Sequence, residues 1–437
     1  MDLTKGNISK NLIFFSIPIV LTLMSSIALS LSDQIIVARC LGQNALATIS
    51  SINGIVGLAY ILLHGFSSSL TIIASKAFKN KDTLEKNKVF ASGIFLSLLS
   101  SLVFMIIFVG LSDYWIKILH VPYVIINDAS YCLKIYGFSF IFMMFIHMFS
   151  SLFQGFNDSR TPMMIQISMN ILNILLDLLF LYVFHCSVEY AVYASLISSI
   201  IGSIFMYFMF QHHYHLDRHV PLQWDYLKHV LVLSLSMMLQ ESIMNICGML
   251  ICTKVNTFGI TAINLNTACE NIQNFYILIF IGLSNAFTVF IGTHYSIKSY
   301  QRILDGVKSM MKIGFILFIF VAILCILTYP FLLRLYIQDL NTFSKHYSTF
   351  YMVAMILSLL AYLIKYMIDG FMKTFENMKE FIISSFINLF GRCLIFYILV
   401  PYLGLYSLPI ALIISIYLSM MYNLYYYLKK YLPMLKK

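Results

Sequence analysis

Twelve apolar stretches follow one another along this chain, with only short polar breaks between them. They run over 12–38, 45–75, 88–112, 123–152, 162–184, 190–212, 227–255, 261–293, 303–333, 346–372, 381–401 and 405–428. About 20 residues of helix cross a bilayer, so each can span, and the longer ones imply tilt or extension beyond the lipid. Hydrophobic residues make up 60% of the 437 and charged ones only 11%, against about 25% charged in a soluble domain. The pattern predicts an all-α integral membrane protein with little chain left over for a soluble domain. The first stretch exceeds a signal-peptide core and lacks a following small-residue cleavage site, so it reads as a retained helix.

The formal charge of +10 is distributed by topology. With both termini placed in the cytoplasm, 20 of the 28 Lys and Arg fall at cytoplasmic ends, and six (39, 117, 134, 254, 334 and 345) at the outer side. That is the positive-inside bias of a multi-pass cell-membrane protein, and it removes the need for a nucleic-acid partner. Trp115 and Trp224, the only tryptophans, stand at span ends as interfacial anchors do. The eight cysteines are scattered without CxxC spacing, which argues against a disulfide framework or zinc site. His212, His213, His215 and His219 read as a solvated linker in preference to a metal site.

The longest polar break, Gln211 to Lys228, divides the chain into six and six. The expected domains are 1–212 and 227–437, joined by a cytoplasmic linker at 213–226. A shift of 217 aligns Gly65 with Gly282, Ser67 with Ser284, Thr71 with Thr288 and Lys81 with Lys298. Because six is even, both halves run the same way through the membrane. Such parallel repeats form two pseudo-symmetric six-helix bundles around a central cavity.

Acids inside the spans carry the chemistry. Asp33 lies roughly 30 Å along its helix from Leu12, and Asp177 roughly 22 Å from Pro162 on the cytoplasmic side. Asn173 precedes Asp177 by one turn on the same face, and Ser195 enters the next span from outside. All fall in the outer half of the first lobe. Carboxylate, amide and hydroxyl oxygens suit a hard monovalent cation, and a carboxylate there can also exchange a proton. The competing reading ends the first helix at Asp33, paired with Arg39 at the headgroups. Pro18 kinks its helix either as a hinge or as a static bend. In the second half, Glu241 and Glu270 are candidates for substrate or ion contact, with a local hydrogen-bonded network as the alternative. Lys365, Asp369 and Lys373, spaced i, i+4, i+8, predict a salt-bridge ladder. Arg392 neutralises a carboxylate or meets an anionic substrate.

The opening LTKGNISKNLIFFSIPIV, the run SDQIIVARCLGQNALATIS, FQGFNDSRTPM, NILLD and VNTFGITAINLNTACENI together resemble the multidrug and toxic compound extrusion family, over essentially the whole chain. The resemblance implies twelve helices in two lobes and export driven by inward Na⁺ or H⁺. It assigns Asp33, Asn173, Asp177 and Ser195 to a coupling-cation site, with Ser195 in place of the usual threonine, and Pro18 to the family's first-helix proline. Two departures stand out. SVEYAVYAS lacks the glycines usual before the sixth helix, and the tenth-helix acid of some members falls near Tyr362, which puts a second cation site in doubt.

The function expected is therefore antiport export of amphipathic compounds, cationic ones favoured, with H⁺ or Na⁺ as coupling ion, no cofactor and no metal beyond Na⁺. The partners are such small molecules and the bilayer, and the unit is a monomer. A lipid-linked saccharide flippase is the alternative within the same superfamily, though it calls for basic residues facing pyrophosphate. A membrane receptor is another. Neither HExxH nor GxSxG is present, so nothing points to an enzyme.

Overall fold

The computed structural model describes residues 6–77, 83–118, 123–214, 224–258, 260–336 and 342–436. The linker positions 215–223, with His215 and His219, and the repeat position Lys81 lie outside the described residues. All regular structure among them is helical. Twelve long helices follow in order: α1 (Ile8–Leu41), α2 (Gln43–Ala77), α3 (Thr83–Gly110), α4 (Ile126–Gly155), α5 (Arg160–Asp177), α6 (Glu189–Tyr214), α7 (Trp224–Asn256), α8 (Ile260–Ser296), α9 (Tyr300–Tyr336), α10 (Thr342–Thr374), α11 (Met378–Leu403) and α12 (Ser407–Tyr426). Ten stretches of the described residues are long and apolar enough to cross a membrane, and one of them, Met378–Leu435, holds both α11 and α12. The expected architecture of twelve helices is present.

The chain forms two compact units, Leu21–Met238 and, apart from it, Asp2–Val20 together with Leu239–Lys437. The divisions fall inside α1 and inside α7, 218 residues apart, so each unit contains the opening half of a helix whose remainder belongs to the other. Pro18 lies within the unbroken α1, two residues before that division. In the first unit α4 packs against α2, α3 and α6, and in the second α10 packs against α8, α9 and α12.

The repeat is visible down to single contacts. A Cβ on Gly65 of α2 would stand 2.6 Å from Met238 Cγ in α7, and one on Gly282 of α8 would stand 2.3 Å from Val20 Cγ2 in α1. At both helix crossings a larger residue would force its neighbour to shift. Ser67 shares a hydrogen bond with Ser151 of α4 at 2.5 Å, while Ser284 donates to the Tyr366 carbonyl of α10 at 2.8 Å.

The turns repeat too. Asp158 N–H bonds Phe153 O and Asn157 N–H bonds Gln154 O, closing α4 with Asn157 at φ 64°. The same pair of bonds closes α8 at Lys298 (φ 55°) and α10 at Glu376 (φ 58°). This is the Schellman ending, in which a left-handed residue lets two late carbonyls find donors.

Candidate functional site

The site grows from α5. Asp158 starts that helix by accepting from the N–H groups of Arg160 (3.0 Å) and Thr161 (3.1 Å), satisfying two of its orphan donors. Along α5 the polar residues Gln166, Asn170, Asn173 and Asp177 recur at i, i+4, i+7 and i+11, which is one face of a helix. Met164, Ile171 and Leu175 on other faces are exposed, as lipid-facing residues should be. Asn170, Asn173 and Asp177 are buried.

α1 supplies the partners. Asn170 Nδ2 donates to Ser25 Oγ at 3.1 Å. Two turns further along α1, Asp33 meets Asn173, whose amide orientation follows from its neighbours. With Nδ2 toward Asp33 it donates to Oδ1 at 3.2 Å, while its oxygen accepts from Ser195 N–H at 3.0 Å and Ser195 Oγ at 3.1 Å. The opposite orientation aims an amide nitrogen at a backbone N–H. The carboxyl groups of Asp33 and Asp177 lie close enough to interact electrostatically. Asp33, Asn173, Asp177 and Ser195 thus form one cluster within the first unit.

Asp177 is 1% exposed, and neither carboxyl oxygen has a hydrogen-bond partner among the described residues. Two bare carboxylates this close, one fully buried, carry an electrostatic cost that a shared proton or a monovalent cation removes. The oxygens available to such an ion are those of the two carboxyl groups, with Ser195 Oγ beside them, while the Asn173 amide oxygen is already held by Ser195.

Two features of the site lie outside the sequence expectations. Directly after Asp177 the helix widens into a π turn, Leu178–Val183, where Phe184 N–H bonds Leu179 O. Such turns are common at functional positions because they re-aim the preceding side chains. Tyr60 of α2 and Tyr136 of α4 are within electrostatic reach of Asp33, Tyr136 also of Asp177. Both line a cavity of about 20 Å³ in the first unit, room for about one water. The period of the α5 stripe was a readable signal for Gln166 and Asn170. Nothing in the sequence placed Tyr60 or Tyr136.

The second unit does not repeat the cluster. By the 217-residue shift, Asp33, Asn173 and Asp177 correspond to Leu250, Phe390 and Leu394. Two separate sets of ionisable groups stand within its helices instead. Arg392 of α11 pairs with Glu270 of α8, Nη2 to Oε1 at 3.2 Å. Lys365 and Asp369 of α10 make the first rung of the expected ladder at 2.5 Å, both buried, and Asn423 of α12 donates to Asp369 at 2.8 Å. Lys373 lies over the Phe381 ring, 4.9 Å from its centre, within electrostatic reach of Glu241. Glu241 and Glu270 therefore belong to different sets.

The MatE family model matches residues 18–179 and 234–401, two stretches that begin 216 residues apart. The chain is 25% identical over 308 residues to the Bacillus subtilis (strain 168) "Probable multidrug resistance protein YpnP", spanning 69% of this chain and 68% of that one. It is 22% identical over 356 residues to "Probable multidrug resistance protein YoeA" of the same organism, spanning 78% and 76%. A crystal structure of MATE in complex with MaL6 shares the fold with a TM-score of 0.90 at 19% identity, covering 99% of this chain and 98% of that one.

Proposed function

The chain belongs to the MatE family, the multidrug and toxic compound extrusion transporters, and on that premise we propose that it exports amphipathic organic compounds in exchange for inward H⁺ or Na⁺. The observation that carries this reading is the Asp33–Asn173–Asp177–Ser195 cluster, with both oxygens of a buried carboxyl group lacking hydrogen-bond partners among the described residues. Asp177 and Asp33 hold the cation, Asn173 keeps Asp33 in place and ties it to Ser195, and Ser195 adds a hydroxyl oxygen. Cation binding from outside favours substrate release. Cation release inside and renewed substrate binding reset the cycle. The exchange couples only if the two ligands prefer different conformations or compete for one site.

Lys365 and Arg392, the bases set well inside helices α10 and α11, stand opposite acids. This balance supports drug export over a saccharide flippase, which needs unpaired basic groups for pyrophosphate. The test is flux of a fluorescent organic cation in proteoliposomes, with Na⁺ and pH gradients imposed separately. One of the two should drive accumulation. Equal flux with neither gradient would contradict antiport.

A further inference from the structure

The last membrane-crossing stretch, Met378–Leu435, ends in a group of side chains with no part in the proposed cation site. After α12 the helix widens into a π turn, Tyr427–Tyr431, followed by a short helix, Leu432–Lys436. Tyr425, Tyr426, Lys429, Lys430, Pro433 and Met434 line an open cavity of about 530 Å³ there, within the size range of small-ligand pockets. Lysines at the end of a span are ordinary. The surroundings of these two are not.

Each lysine stands one turn after a tyrosine. Lys429 Nζ donates to Tyr425 Oη at 3.1 Å. Lys430 Nζ donates to Tyr426 Oη at 3.0 Å and to Asn377 Oδ1 at 2.6 Å. Asn377, in the turn between α10 and α11, is itself held by donating to Tyr431 Oη at 2.7 Å. All three lysine acceptors are neutral. An ammonium has three donors, so these contacts leave two on Lys429 and one on Lys430. Each of the two tyrosine hydroxyls, having accepted, keeps its proton to donate. Glu380 of α11 is within electrostatic reach of Tyr422 and Tyr431, but neither lysine bonds a carboxylate among the described residues. The cavity is therefore rich in donors and positive charge, and short of acceptors.

The approach to it is apolar. Ile414, Leu418, Met421, Tyr425 and Leu428 are exposed, at spacings of four, three, four and three residues that keep them on one face. In a bilayer such a stripe lies against acyl chains, and it ends at the lysines, where the headgroups begin.

We propose that this end of α12 binds an anionic phospholipid. Its phosphate oxygens accept from Lys429, Lys430 and the hydroxyls of Tyr425 and Tyr426, and its acyl chains follow the exposed stripe. Juxtamembrane lysines attract anionic headgroups, whereas the ammonium of a zwitterionic headgroup meets two like charges here. The lipid site is independent of the coupling ion and of the exported compound.

Native mass spectrometry of the purified full chain in detergent tests it, with titrations of phosphatidylglycerol and of phosphatidylcholine carrying the same acyl chains. The anionic lipid should bind more tightly. Lys429→Gln with Lys430→Gln should reduce that preference by about tenfold or more, the contribution of two juxtamembrane cations. Lys429→Arg with Lys430→Arg should retain it, which separates lost charge from a folding defect. Lys308→Gln, at another exposed lysine of the second unit, should leave it unchanged. Inorganic phosphate at millimolar concentration should not displace the lipid. Equal binding of the two lipids, an unchanged preference in the double Gln variant, an equal loss in Lys308→Gln, or displacement by phosphate overturns the lipid site.

Discussion

At the scale of single residues, what distinguishes this molecule is how its buried charges are answered. Asp177 has no hydrogen-bond partner among the described residues, whereas Asp369 is met by Lys365 and Asn423. The first arrangement invites a mobile cation, and the second contains its own. Removing one member of a buried pair costs about 3–5 kcal/mol, while replacing both with apolar groups is often neutral. Lys365→Met alone should therefore lower thermal stability in detergent clearly, and Lys365→Met with Asp369→Leu should recover most of the loss. Asn173 does a different job, joining Asp33 to Ser195. Asn173→Ala strips a donor from one and an acceptor from the other, at about 1–3 kcal/mol. It should raise the half-saturating concentration of the coupling cation by about tenfold or more in transport assays.

At the scale of elements, much of the site was legible before the fold was known. Asn173 and Asp177 could be placed on one face because α-helical period alone dictates it, and Asp33 at similar depth because helix rise is fixed. The π turn after Asp177 was not legible. Leu178–Val183 contains neither glycine nor proline, so its widening is decided by packing against neighbours and leaves no local mark. Asn157 sits at a helix ending where its side chain tolerates the left-handed conformation, but Lys298 and Glu376 occupy the same place without that tolerance. A lysine in that conformation carries about 1–2 kcal/mol of strain, partly offset by the greater freedom of glycine in the unfolded chain. Lys298→Gly should stabilise the protein slightly and Lys298→Val should destabilise it, as read by thermal unfolding of the two variants side by side.

At the scale of the whole molecule, the two-fold repeat was readable from a few aligned residues, and the exchange of half-helices between units was not. A division inside α1 and α7 depends on tertiary contacts, and the polar break near residue 211 gives no hint of it. Its trace in sequence is indirect, through the aligned pair Gly65 and Gly282, each seating a residue of the incoming half-helix. Gly282→Val should disrupt the seat of Val20, because added carbons have no room there, with lower thermal stability as the result. Charge is handled unequally by the two halves, and the proposed coupling cation is assigned to the first. The most direct test of that assignment is gradient-driven flux of a fluorescent organic cation in proteoliposomes, comparing the unaltered chain with Asp177→Asn at matched incorporation. Asp177→Asn should still bind the organic cation in the absence of a gradient yet lose accumulation under both Na⁺ and pH gradients. Accumulation equal to that of the unaltered chain would contradict the assignment.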